Sequence, residues 1–141
     1  MIALHFGRLT AALLLLLVTA CEPQPMVEVE RAELDYKAEV FYRKDGPPFT
    51  GRMIKRHSDG SVRSKMELKK GVPHGLVVEF AENGTQIVEV HFEDGIRHGK
   101  NTYWYDDGSL MKEQWYDRDH EVEGKTVHYD KGEKPASPAA D

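Results

Sequence analysis

Three glycines, Gly60, Gly84 and Gly108, stand 24 residues apart, and three more, Gly51, Gly75 and Gly99, keep the same interval nine residues ahead of them. Self-similarity at such a fixed period is the signature of a repeat architecture, in which each unit buries its apolar face mainly against its neighbours. The period divides the chain into units 51–74, 75–98 and 99–123, with a truncated fourth from 124. Inside each unit, two short runs rich in Val, Ile, Phe, Tyr and Trp flank Asp59-Gly60-Ser61, Asn83-Gly84-Thr85 or Asp107-Gly108-Ser109. Asp-Gly or Asn-Gly between such runs predicts a hairpin with a type I′ turn, whose two central residues both take positive φ. Aromatic and β-branched side chains suit a pleated, half-buried surface. The prolines, Pro73 included, are placed outside the strands, and every glycine except Gly7 falls at a turn or a repeat edge. Inside helices these residues would cost about 1 kcal/mol per Gly and about 3 per Pro. The expected fold is therefore all-β: an elongated antiparallel β-meander of repeated hairpins in a single sheet, with about nine strands at ~4.8 Å spacing.

Repeat columns give expected faces. Five residues past each leading glycine stand Arg56, Phe80, Trp104 and Tyr129; three past it stand Ile54, Val78, Thr102 and Val127. The return strands carry Leu68, Phe92 and Tyr116, then Met66, Val90 and Gln114. Since strand side chains alternate with period two, these columns are read as one apolar, aromatic face. The opposite columns, Lys65, Glu89, Glu113 and Glu67, His91, Trp115, are read as a charged face. A single-layer sheet leaves its aromatics short of cover, and an uncovered apolar patch marks a partner site. Phe80, Trp104, Tyr129, Phe92 and Tyr116 are the candidate partner-binding residues. Ahead of the repeats, residues 27–30 alternate like a strand, 31–37 suit a helical turn or loop, and 38–44 suit a second strand. The tail 133–141, rich in Pro, Ala and charge, is expected to be disordered.

The N-terminus has its own signature. Residues 1–20 hold His5 and Arg8, no acid, and the apolar run 13–18. That run is shorter than the ~20 residues a membrane-spanning helix needs, and the arrangement reads as a secretory signal. The only cysteine, Cys21, ends it in Leu17-Val18-Thr19-Ala20-Cys21, which resembles the lipobox of bacterial lipoproteins. That resemblance implies acylation of Cys21, anchorage to a membrane through the lipid, and residues 21–26 as a tether. Glu22, where Asp implies inner-membrane retention, favours the outer membrane facing the periplasm. Removing residues 1–20 takes one of the 19 cations and none of the 24 acids, leaving a net charge of −6. Such a balance argues against nucleic-acid binding and against electrostatic adhesion to anionic lipid.

The unit Gly75-Leu76-Val77-Val78-Glu79-Phe80-Ala81-Glu82-Asn83-Gly84-Thr85, its next copy at 99–109, and the joint Phe92-Glu93-Asp94-Gly95-Ile96-Arg97-His98-Gly99 resemble the variant MORN repeat. With the leader Phe41-Tyr42-Arg43-Lys44-Asp45-Gly46-Pro47-Pro48-Phe49-Thr50-Gly51, residues 27–132 look like bacterial proteins of the YwqK-family antitoxin type. Arg56 replaces the aromatic in the first unit, and Asp119 replaces the joining glycine in the third. The resemblance implies an interaction or membrane-association module without shared catalytic residues.

No Gly-x-Ser-x-Gly, His-Glu-x-x-His or glycine-rich phosphate loop is present. His74 and His98 share a column, but equivalent positions two strands apart lie about 10 Å from each other, too far for one zinc with bonds near 2.0 Å. Asp117, Asp119 and Glu121 alternate, yet lack the glycine turn and distal glutamate of an EF-hand loop. The expectation is a protein with no catalytic residues, metal or cofactor: an envelope-anchored lipoprotein binding a protein partner through its sheet. The alternative is an antitoxin or immunity-type protein that neutralises a toxin.

Overall fold

The computed structural model describes residues 25–132. The signal segment 1–20, the candidate lipidation residue Cys21 and the tail 133–141 lie outside the described residues. Those described form a sheet of ten strands and a separate two-stranded hairpin. In chain order these are β1 (Glu28–Glu30), a 3-10 turn (Arg31–Glu33), β2 (Leu34–Lys37), β3 (Val40–Arg43), β4 (Gly51–Arg56), β5 (Val62–Lys69) and β6 (Val72–Phe80). After them come β7 (Gln86–Glu93), β8 (Ile96–Arg97), β9 (Gly99–Trp104), β10 (Leu110–Asp117), β11 (His120–Glu121) and β12 (Val127–His128). From β4 onward the order is an antiparallel meander, as the glycine period predicts. One pairing departs from it: β1 lies parallel to β4, with Val29 opposite Met53.

The leader differs from its sequence reading. Residues 34–37 form a strand paired with β3, and the helical tendency is confined to one 3-10 turn. There the Glu33 carboxylate accepts the Glu30 N–H at 3.0 Å. Pro73 is also a correction, since it lies within β6 opposite Leu68. It is tolerated because the ladder is irregular between Met66 and Leu68, where a missing donor breaks no regular pair.

The turns are of two kinds, and the type I′ turns are not the ones expected. At Gly60, Gly84 and Gly108 only the glycine has positive φ, 82 to 89°. The Asp or Asn before it instead accepts a backbone N–H: Ser61 to Asp59 at 2.8 Å, Thr85 to Asn83 and Ser109 to Asp107 at 2.9 Å. These are longer loops, each followed by a β-bulge that leaves Arg63, Ile87 or Met111 as the extra residue. The bulges therefore repeat with the glycines. The two-residue turns with positive φ at both centres lie at the other rim: Ala38-Glu39, Lys70-Gly71, Asp94-Gly95 and Arg118-Asp119. Asp119, at φ 64°, does stand where Gly71 and Gly95 stand.

Ala38-Glu39 is the least suited of these pairs, because a left-handed conformation costs a non-glycine residue about 1–2 kcal/mol. Ala38→Asn with Glu39→Gly is expected to raise stability by about 1–2 kcal/mol. A urea titration would show it as a higher midpoint at unchanged slope; an unchanged midpoint would refute it.

The core sits at one end of one face. Val29, Leu34, Phe49, Met53 and Leu68 are buried together, with Phe41 and Met66 packed against them. The β2–β3 hairpin covers that corner through backbone bonds to the 69–72 turn: the Phe41 N–H donates to the Gly71 carbonyl at 2.8 Å, and the Gly71 N–H donates to the Phe49 carbonyl at 2.7 Å.

Candidate partner-binding surface

Register assigns the faces. Met53 pairs with Met66, Met66 with Val77 and Val77 with Val90, so these share the face that carries the hairpin. Ile54 pairs with Lys65, Lys65 with Val78, Val78 with Glu89, Glu89 with Thr102 and Thr102 with Glu113, so these share the other. By alternation, Phe80, Trp104 and Tyr129 lie on the second face with the charged column, whereas Phe92 and Tyr116 lie on the hairpin face. The five candidates therefore do not form one strip. The single apolar face read from the sequence came from pairing columns across each turn as if no residue were extra. The repeated bulge and the longer loop change which columns meet, so each face is mixed.

On the hairpin face, Phe92 and Tyr116 are half-buried, and the Arg97 guanidinium stacks over the Tyr116 ring at 4.2 Å. Lys112 lies 4.4 Å from the centre of the Tyr103 ring. Asn101 occupies the repeat position of Met53 and Val77 and is wholly buried. Its Oδ1 accepts the His91 N–H at 3.1 Å, replacing a ladder bond where β7 leaves β9 for β8. Among the described residues no group stands within hydrogen-bonding geometry of its Nδ2. Position 101 puts an amide where the two preceding units carry Met53 and Val77, a change of residue type that the column reading passed over.

On the second face, Phe80 and Trp104 are half-buried. Tyr129 is tied down more firmly: its N–H donates to Met111 O at 3.0 Å, its hydroxyl to Glu113 at 3.1 Å, and its carbonyl accepts the Tyr105 hydroxyl at 3.3 Å. A shallow hollow of about 210 Å³ adjoins Phe80, lined also by Arg52, Lys65, Glu67, Leu76 and Val78. Its floor is apolar and its wall is charged. Arg52 donates to Glu28 and to Glu67, each at 2.9 Å, while the other oxygen of Glu67 accepts the Leu76 N–H at 3.1 Å. Glu67 thus bridges the irregular β5–β6 joint, and a Cβ on Gly75 would occupy the place of that oxygen. Among the described residues, the Lys65 side chain forms no ion pair or hydrogen bond, leaving one cation at the hollow.

Burial pushes the Glu67 carboxyl up, but the Arg52 hydrogen bond and the Leu76 N–H outweigh it and hold it below its ordinary 4.5. A carboxylate with a depressed folded value contributes stability that is present above the unfolded value and lost as pH falls through the folded one. The wild-type protein is therefore expected to lose stability below about pH 4.5 more steeply than Glu67→Gln. Urea midpoints measured down the acid limb would show this, and parallel limbs would refute it.

The remaining candidates are dispersed. His74 Nδ1 accepts the Asp94 N–H at 3.2 Å, and His98 Nδ1 lies 3.5 Å from Asp117. Asp119 pairs with Arg97 at 2.7 Å, and Glu121 accepts from the Thr126 hydroxyl. Asp117, Asp119 and Glu121 thus turn to separate partners, and no group of three metal-ligating side chains is found among the described residues. Compared with known protein families, curated proteins and solved structures, the chain matches none.

Proposed function

We propose that this is an envelope-anchored lipoprotein that binds a protein partner, without catalysis, through the second face of its sheet. The observation that carries this reading is the adjacency of half-buried Phe80 to the hollow lined by Leu76, Val78 and Lys65, with Trp104 farther along the face. Aromatic anchors around an apolar depression with a charged wall are the composition of interface hot spots. The lipobox at Cys21 supplies the address, since a lipid anchor adds about 0.8 kcal/mol of membrane affinity for each buried CH₂.

A photoreactive side chain at Phe80 or Trp104 should crosslink one protein in the envelope, and one at Phe92 should not. Loss of that product in Leu76→Asp, with the fold retained by circular dichroism, supports the surface. Equal capture from both faces, or none from either, sinks it. Metabolic labelling with an alkynyl fatty acid should mark the wild-type chain and not Cys21→Ser.

A further inference from the structure

We infer that the hollow beside Phe80 takes an apolar side chain of the partner together with a carboxylate that the partner sets against Lys65, the two lying two residues apart on one extended segment. The inference rests on the reading above that the second face binds a protein, and it names the chemistry of that protein's contact segment. Its first support is the state of Lys65. This residue is half-buried, and its cross-strand neighbours are Ile54 on one side and Val78 on the other. Cations elsewhere on this face have carboxylates. Arg52 lies 2.9 Å from Glu28 and from Glu67, Arg56 lies 2.8 Å from Glu30, and Lys100 lies 2.7 Å from Glu113. Lys65 stands without one among the described residues. The carboxylates around it are engaged elsewhere. Glu67 turns one oxygen to Arg52 and the other to the Leu76 N–H. Glu89 lies beyond Val78 in the same row, about 9.6 Å from Lys65 at ~4.8 Å per strand, and accepts from Gln86 Nε2 at 3.1 Å.

The second support is what binding would do to that lysine. A partner seated on Phe80 and Val78 covers Lys65 as well, since all three line one hollow. An ammonium taken out of water with no counter-charge is strongly disfavoured. A partner carboxylate offsets that loss with a charge-assisted hydrogen bond. A purely apolar partner leaves the ammonium stranded, so Lys65 selects against it.

Size is the third. The hollow, about 210 Å³, lies below the roughly 300–1,000 Å³ of sites that enclose a free small molecule. It suits one side chain of a larger partner. Leu76, Val78 and Phe80 stand on β6 and Lys65 on the adjacent β5, one strand spacing of about 4.8 Å away. In an extended segment alternate side chains face the same way about 6.6 Å apart. An apolar residue and an acid two positions along the segment therefore reach the β6 group and the tip of the lysine together.

The test has two independent arms. In the first, the isotope-labelled full chain is titrated with the blocked peptide acetyl-Gly-Phe-Ser-Asp-Gly-amide and with its Asn counterpart. Amide resonances should shift at Lys65, Leu76, Val78 and Phe80, and the Asp peptide should bind about fivefold more tightly than the Asn peptide. Lys65→Met, which keeps the aliphatic stem, should abolish that preference, and Lys112→Met on the hairpin face should preserve it. Shifts confined to other residues, no binding, or a preference that survives Lys65→Met overturns the inference. In the second, envelopes carrying the protein are treated with a water-soluble carbodiimide, which condenses an amine with a touching carboxylate into an amide, the water lost hydrating the carbodiimide to its urea. The expected product joins Lys65 Nζ to an Asp or Glu of the same protein that photo-crosslinks from Phe80, with an apolar residue two positions from that acid. Photo-crosslinking from Phe80 without the Lys65 amide overturns the inference and leaves the partner reading standing. If no protein crosslinks from the second face while the peptides behave as expected, the partner reading falls and the chemistry of the hollow stands.

Discussion

Gly71→Ala is expected to destabilise the protein by about 3–4 kcal/mol, and Gly95→Ala by only about 1. The two glycines hold the same position in equivalent type I′ turns, at φ 81° and 87°. The strain of placing a side chain in that conformation is common to both. What differs is the neighbour. A Cβ on Gly95 would come no closer than 3.8 Å to another side chain, that of Val72, whereas one on Gly71 would press into Val40 Cγ1 and the Phe41 backbone. The leader hairpin would have to withdraw, stretching the Phe41–Gly71 and Gly71–Phe49 backbone bonds and loosening the buried cluster beneath. Urea unfolding of both variants measures the difference. Equal costs would mean that the hairpin is not seated on this turn.

Leu68→Ala should cost about 3 kcal/mol, and Phe92→Ala about 1–2, although Phe is the larger side chain. Leu68, Phe92 and Tyr116 are one repeat column. Leu68 is 3% exposed and packs with Val29, Leu34, Phe49 and Met53, so its truncation leaves a cavity that rigid neighbours cannot fill. Phe92 is half-buried, so part of its surface is already in water and no enclosed void follows its removal. Thermal unfolding of the two variants would rank them, and a larger loss for Phe92→Ala would place the core elsewhere.

Much of the architecture was legible because it is local and periodic. Gly60, Gly84 and Gly108 mark turns at a 24-residue interval, whereas Gly75, in the other set, lies inside β6; runs between turns with no helix signal have only strand geometry available. The functional surface was less legible. Whether Phe80 and Phe92 share a face depends on how residues are counted across each turn. A β-bulge at Ile87 and a side-chain-capped loop at Asn83 alter that count without altering the glycine spacing. The pairs Asp59-Gly60, Asn83-Gly84 and Asp107-Gly108 pointed to hairpins correctly and to the wrong turn type, because the Asp or Asn serves there as a hydrogen-bond acceptor. Arg118-Asp119, with no glycine, makes a type I′ turn because its flanks are paired and Arg97 holds the Asp119 carboxylate.

By itself the sequence determined the all-β class and the rims at which turns fall, since these follow from backbone preferences of single residues. Only the tertiary structure decided which repeat became the core, since the columns are nearly equivalent until the leader hairpin covers one corner. It also decided that the aromatic columns divide between two faces. Both outcomes depend on register and on contacts between segments distant in the chain, and no short-range preference encodes those.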